Sequence, residues 1–181
     1  MVWTTPRTWT TGEVVTAAIM NTHVRDNLNF LRAHHGARVF KSTSQTVAGG
    51  NTDVVSFNSE DYDTDAAHDN VTNNSRITIP SALDGFWEVI FATDVDADLS
   101  NHNGRMSLQV RKNAAGASGS GTQLENKGFD THANIQSGLI TWQGSLVAAD
   151  HVEAFFFSAT ETRVLEAATA GTAMTAKYLG S

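Results

Sequence analysis

The chain of 181 residues has no cysteine, two prolines and only twelve lysines and arginines. Without cysteine there is no disulfide, no thiolate metal site and no cysteine nucleophile. The formal net charge is −7, and the few cations form no run. A phosphate-binding surface needs clustered positive charge, so a nucleic-acid partner is excluded as an expectation. Apolar runs extend for a few residues only, far short of the about 20 that a membrane helix needs. Met1-Val2-Trp3-Thr4 does not open a basic stretch followed by an apolar one. The expected route is therefore synthesis in a cytosol without a secretory signal. Charged residues make up 17%, with Thr, Ser, Asn, Ala and Gly in their place, a composition that suits strands and turns. The length allows one domain, or one domain with an appendage, and a core that needs no staples.

What is present divides in two, 1–36 and 37–181. Residues 1–15 read as an extended arm, because Pro6 blocks regular pairing and holds Thr5 extended. Trp3 and Trp9 are large apolar groups on a segment with no core of its own, and such aromatics are what interfaces use as anchors. Thr16 is a good N-cap, and Ala17 and Ala18 are strong helix formers. The spacing predicts a helix from there to about Ala33, ended by Gly36. Ala17, Met20, Val24, Leu28 and Leu31 recur at three and four, giving one apolar stripe. Asn27 lies beside it, where a polar residue sets register in a coiled coil. A single short helix cannot bury such a stripe alone. It must lie on the β module or pair with copies of itself. His34-His35 point different ways on a helix and do not suggest a metal site.

From residue 37 the pattern alternates with period two. Strands are expected over 38–47, 52–57, 76–79, 86–99, 105–112, 135–147, 151–158 and 173–179. A polar loop is expected from 58 to 74. Ser100-Asn101-His102-Asn103-Gly104 reads as a hairpin turn between its neighbours, and Ala149-Asp150 as another turn. About eight or more strands without a helix mean a sandwich, jelly roll or barrel.

Two stretches carry a resemblance. Pro6-Arg7-Thr8-Trp9, Gly12-Glu13-Val14-Val15-Thr16-Ala17-Ala18 and Asn21-Thr22-His23-Val24-Arg25-Asp26-Asn27-Leu28 resemble the N-terminal signature of many tailed-bacteriophage tail or fibre-like proteins. The remainder resembles the jelly roll of the complement C1q and tumour-necrosis-factor group in its phage-borne version. The residues concerned are Phe57-Asn58-Ser59-Glu60, Asp63-Thr64-Asp65, His68-Asp69, Ser75-Arg76-Ile77-Thr78-Ile79-Pro80, Gly85-Phe86-Trp87 and Leu146-Val147-Ala148-Ala149-Asp150-His151-Val152-Glu153. The chain departs from the group at Ala149, where glycine is usual, and at Trp87, where Tyr or Phe is usual. The resemblance implies a homotrimeric C1q/TNF-like jelly-roll β-sandwich behind the arm and helix, with Met20, Val24, Asn27, Leu28 and Leu31 meeting their copies.

Chemistry is sparse. The stretch Glu60 to Asp69 is the densest polar cluster; its carboxylates could hold calcium, but self-hydrogen-bonded turns fit Asp63 and Asp65 better. Asp94-Val95-Asp96-Ala97-Asp98 starts like an EF-hand loop and then fails it, with Leu99 at the glycine position and Arg105 at the bidentate glutamate position. No nucleophile elbow or metal-binding helix is present. The expectation is therefore a non-enzyme without metal or cofactor: a structural virion protein, made in the host cytoplasm. It would be a trimeric short fibre or spike anchored to other phage structural proteins by Trp3, Pro6, Arg7 and Trp9. Its β knob would face outward, toward a host-surface glycan. The alternatives are a capsid decoration protein and a glycan depolymerase.

Overall fold

In a computed structural model of the chain, residues 3–95, 104–131, 136–168 and 171–180 are described. The chain divides into two compact units, Met1–His35 and Gly36–Ser181.

In the first unit Thr16 caps the helix as expected, its hydroxyl accepting from the Ile19 N–H at 3.3 Å. The helix is not one continuous α-helix. It runs as α1 (Ala17–Met20), a π turn (Asn21–Arg25) and α2 (Asp26–Arg32). The π turn closes with the Asp26 N–H bonded to the Asn21 carbonyl. Such insertions recur at functional sites in helices. The helix ends at Arg32, with Ala33 already extended. Gly36 is not its stop signal. It opens the first strand at φ 136°, where a Cβ would lie 2.1 Å from the Ala176 carbonyl oxygen. The glycine is needed for close approach of two strands, not for a cap.

The second unit holds two antiparallel sheets. The larger contains β1 (Gly36–Phe40), β2 (Gln45–Val47), β4 (Ser59–Asp63), β6 (Gly85–Val95), β9 (Gln136–Leu146), β11 (Arg163–Leu165) and β12 (Ala173–Gly180). Its order is β2-β11-β6-β12-β1-β4, with β9 also paired to β6. The smaller contains β3 (Thr52–Val54), β5 (Arg76–Thr78), β7 (Gly104–Lys112), β8 (Thr122–Thr131) and β10 (His151–Ser158). Its order is β3-β10-β7-β8, with β5 also paired to β10.

Period-two alternation sends one side of each strand inward. From the larger sheet Trp87, Val89, Phe91, Val39 and Met174 are fully buried; from the smaller, Met106, Leu108, Val110, Val152 and Phe156 are. The Trp87 indole N–H donates to the Leu83 carbonyl at 3.0 Å, which satisfies the one polar atom this core tryptophan brings.

Several strand expectations are corrected. The 38–47 stretch is two strands, β1 and β2, at different positions in the larger sheet. The expected hairpin of 86–99 with 105–112 does not form: β6 and β7 belong to different sheets. β9 and β10 are likewise split across the two layers, so Ala149-Asp150 turns between sheets. Both connections cross between layers, whereas β7 and β8 pair with each other in the smaller sheet. Ala149 sits at φ 67°, a left-handed conformation that glycine adopts without cost. This is the position where the resembled group carries glycine. The 58–74 loop contains β4, and β8 and β11 fall outside the expected strands.

Candidate functional site

The arm is pinned to its own helix. The Thr4 N–H donates to the Asn27 side-chain oxygen at 3.0 Å, and the Asn27 amide donates back to the Thr4 carbonyl at 2.8 Å. One side chain thus mimics a strand partner for one arm residue. The Asn27 amide also lies 3.3 Å from the His23 carbonyl, so this residue, expected at an interhelical seam, is buried and its hydrogen bonds are spent within the unit. Trp3 packs its ring on Phe30 with centroids 5.8 Å apart, and Phe30 in turn meets the His35 ring at 4.3 Å.

Further along the arm, Arg7 forms an ion pair with Glu13 and stacks over the Trp9 ring, 5.1 Å from its centroid. The Thr10 N–H donates to the second Glu13 oxygen at 3.3 Å. Pro6 is exposed and Trp9 is 44% exposed. The four anchoring candidates therefore separate: Trp3 is engaged with Phe30, while Pro6, Arg7 and Trp9 present a rigid corner. Of the stripe, Met20 is 43%, Leu28 60% and Leu31 67% exposed, and Val24 is half-buried. The arm covers Asn27 and Phe30, which are buried, and leaves the neighbouring Met20, Leu28 and Leu31 exposed.

In the β unit the acidic loop is folded on itself. Asp63 accepts from the Ala67 and His68 N–H groups at 2.9 Å each and from Asp65 at 3.3 Å. That nest uses both carboxylate oxygens, in keeping with hydrogen-bonded turns over a calcium loop. Asp65 accepts from the Gly36 N–H at 3.1 Å. Among the described residues no group of acidic or histidine side chains is placed to hold a metal. Asp94 lies in β6, and Asp96 and Asp98 of the EF-hand-like stretch fall outside the described residues.

The same loop makes a cleft of about 200 Å³, lined by Ala66, Ala67, His68, Asp69, Thr72, Asn73, Arg76 and Thr78. Ala66 and Asn73 shape it with positive φ values of 53° and 56°. The His68 ring nitrogens face two carbonyls, Arg76 at 2.8 Å and Phe57 at 3.2 Å. Asp69 accepts from the Val71 and Thr72 N–H groups at 2.8 and 2.9 Å, both through Oδ1. These bonds, the Thr72 one foremost, hold its carboxyl below the usual range. In the sequence Arg76 and Thr78 stand out as strand residues and as part of the run that carries the jelly-roll resemblance, not as binding residues. The available signal was their alternation with Ile77 and Ile79, which puts both polar groups on one face.

Beside the cleft, Glu153 is buried and satisfied. It accepts from Ser75 Oγ at 2.8 Å and from the Gly116 N–H at 3.0 Å, and so ties two loops to β10. His151 Nε2 lies 3.6 Å from it. Burial lowers the His151 pKa; Glu153 opposes that shift and Arg76 adds to it.

The outer face of the larger sheet is the third surface. Register places Phe86, Glu88, Ile90 and Ala92 of β6 beside Ser145, Gln143, Thr141 and Leu139 of β9, on the side away from Trp87 and Phe91. Phe86 and Leu139 are each 56% exposed and Leu179 is 48% exposed. Leu179 lies at the Phe86 end of this face and Leu139 at the other, with the polar Glu88, Gln143 and Thr141 between them.

No protein-family model matches the chain, and no curated protein matches it. Solved structures do. Eiger TNF from S. frugiperda is similar at a TM-score of 0.59 and 11% identity, over 82% of this chain and 94% of that one. Murine APRIL at pH 5.0 is similar at 0.59 and 11%, over 81% of this chain and 100% of that one. At such identity the likeness establishes the fold, a tumour-necrosis-factor-like jelly roll.

Two outcomes follow. Asn27→Ala removes both bonds to Thr4, a loss of about 1–3 kcal/mol. Trypsin cleavage after Arg7 should then speed up about tenfold or more; an unchanged rate would show that Asn27 does not hold the arm. For His151, the folded chain favours the neutral ring. Its contribution to stability is fully present above the ordinary value of 6.5 and is lost as pH falls through the lowered folded value. Urea midpoints taken from neutral to acid pH should fall more steeply for the parent chain than for His151→Gln. Parallel curves would contradict this.

Proposed function

We propose that the chain is a structural virion protein of a tailed bacteriophage, a short homotrimeric fibre or spike that acts by binding and not by catalysis. Its N-terminal unit attaches it to the particle, and its β unit faces outward toward a host-surface glycan. The observation that carries this reading is the exposure of Met20, Leu28 and Leu31 on a helix whose arm contacts, through Asn27 and Phe30, leave them uncovered. A stripe left open this way is covered when copies associate. The exposed Phe86, Leu139 and Leu179 of the larger sheet support the same association, as do the jelly-roll fold and the N-terminal resemblance. Particle contact falls on Pro6, Arg7 and Trp9, with Trp3 holding the arm to the helix. The neighbouring decoration reading differs only in location and copy number.

Light scattering on the purified protein should give about three times the chain mass of 19.4 kDa; a mass near 19.4 kDa contradicts the trimer. Quantitative mass spectrometry of purified particles should find few copies, lost when residues 1–15 are deleted. Many copies on the head would favour decoration, and none would overturn the proposal.

A further inference from the structure

The cleft between β4 and β5 carries an inference that rests on reading the β unit as an outward-facing binding module. Its one cation is Arg76, half-buried on β5. Among the described residues the Arg76 guanidinium has no hydrogen-bond or ion-pair partner; only its backbone groups are bonded, to His68 and Asn73. A guanidinium with open donors is a ready fork for a carboxylate.

The remaining lining narrows the ligand. Asp69 uses Oδ1 for its own turn and lines the cleft, which leaves Oδ2 as an acceptor that suits a hydroxyl. Thr72, Asn73 and Thr78 add neutral donors and acceptors. Among the described residues Ala66 and Ala67 are the only apolar side chains of the lining, with no Phe, Tyr or Trp, so the ligand has little apolar bulk. At about 200 Å³ the space is smaller than the roughly 300–1,000 Å³ of clefts for drug-sized molecules. One small ring fits that space. His68 turns both ring nitrogens toward backbone carbonyls, those of Arg76 and Phe57, so its ring is placed to hold the loop.

We propose that this cleft binds a single carboxylate-bearing sugar ring, with Arg76 holding the carboxylate and Asp69, Asn73 and Thr78 holding the hydroxyls. The same chemistry is offered by a free uronic acid and by the acidic residue of a polysaccharide, and both belong to the class proposed.

The test is a ligand-observed NMR titration of the full chain with methyl β-D-glucuronide, the neutral methyl β-D-glucoside, and acetate. The glucuronide should saturate, with the glucoside and acetate each at least tenfold weaker. Arg76→Gln should weaken the glucuronide by about tenfold to a hundredfold, the loss of a charge-assisted pair, with an unchanged melting temperature. If that variant melts early, Thr78→Val and Asp69→Asn serve instead, each weakening the glucuronide a few-fold. The proposal is overturned if the glucuronide does not saturate, if acetate or the glucoside binds as well, or if the folded variants bind like the parent. Glucuronide binding by a protein absent from particles would sink the virion reading alone; a particle-borne trimer that ignores glucuronide would sink this one alone.

Discussion

Burial of the inner side of β6 is the constraint on which the β unit depends. Trp87, Val89, Phe91 and Val95 are all but fully buried, and the strand pairs along its length with both β9 and β12. Fully burying a side chain of this size contributes about 1.5–3 kcal/mol, and truncating a core Phe costs about 3–5 kcal/mol. Pairing on both edges leaves β6 no freedom of register, because a slip of one residue would turn Trp87 outward and Glu88 inward.

The same alternation commits the other side. If Trp87 and Phe91 point into the sandwich, Phe86 and Ile90 must point out, among the polar Glu88, Gln143 and Thr141. Apolar groups on the outer face are thus a consequence of the core's register. The N-terminal unit poses the same problem in helical form: its arm takes one face through Asn27 and Phe30, and the stripe of Met20, Leu28 and Leu31 is left open. In the proposed trimer both surfaces are buried by copies of themselves. The loops answer to a different demand. Those around β5 are held by two carboxylate anchors, half-buried Asp63 and buried Glu153.

Much of this was legible in the sequence. Alternation located the long strands and the fold class, and Thr16 marked the helix start. What failed was pairing. Adjacent strands with a plausible turn read as hairpins, yet β6 and β7 sit in different layers, because inward-facing residues do not say which layer they line. β4 and β8 were missed because Ser59 to Asp63 and Thr122 to Thr131 are polar on both faces and lack an apolar alternation. Asn27 was read from its place beside the stripe; its bonds run instead to Thr4, a residue whose backbone gives no sequence signal. The cleft was half visible: the loop stood out by its acids, but Asp63 is structural, and the unpaired cation that gives the cleft its character comes from the neighbouring strand.

The central claim, that the helix stripe and the outer sheet face are covered by copies of the chain, can be tested directly because the chain has no cysteine. Single substitutions Leu28→Cys, Phe86→Cys and Val71→Cys would each introduce one thiol, to be followed by its rate of labelling in the purified protein. Val71 is 86% exposed on the cleft loop and serves as the open control. The account predicts fast labelling at position 71, slow labelling at positions 28 and 86, and fast labelling at all three once the assembly is diluted to monomers. Equally fast labelling at all three positions in the undiluted protein would contradict it.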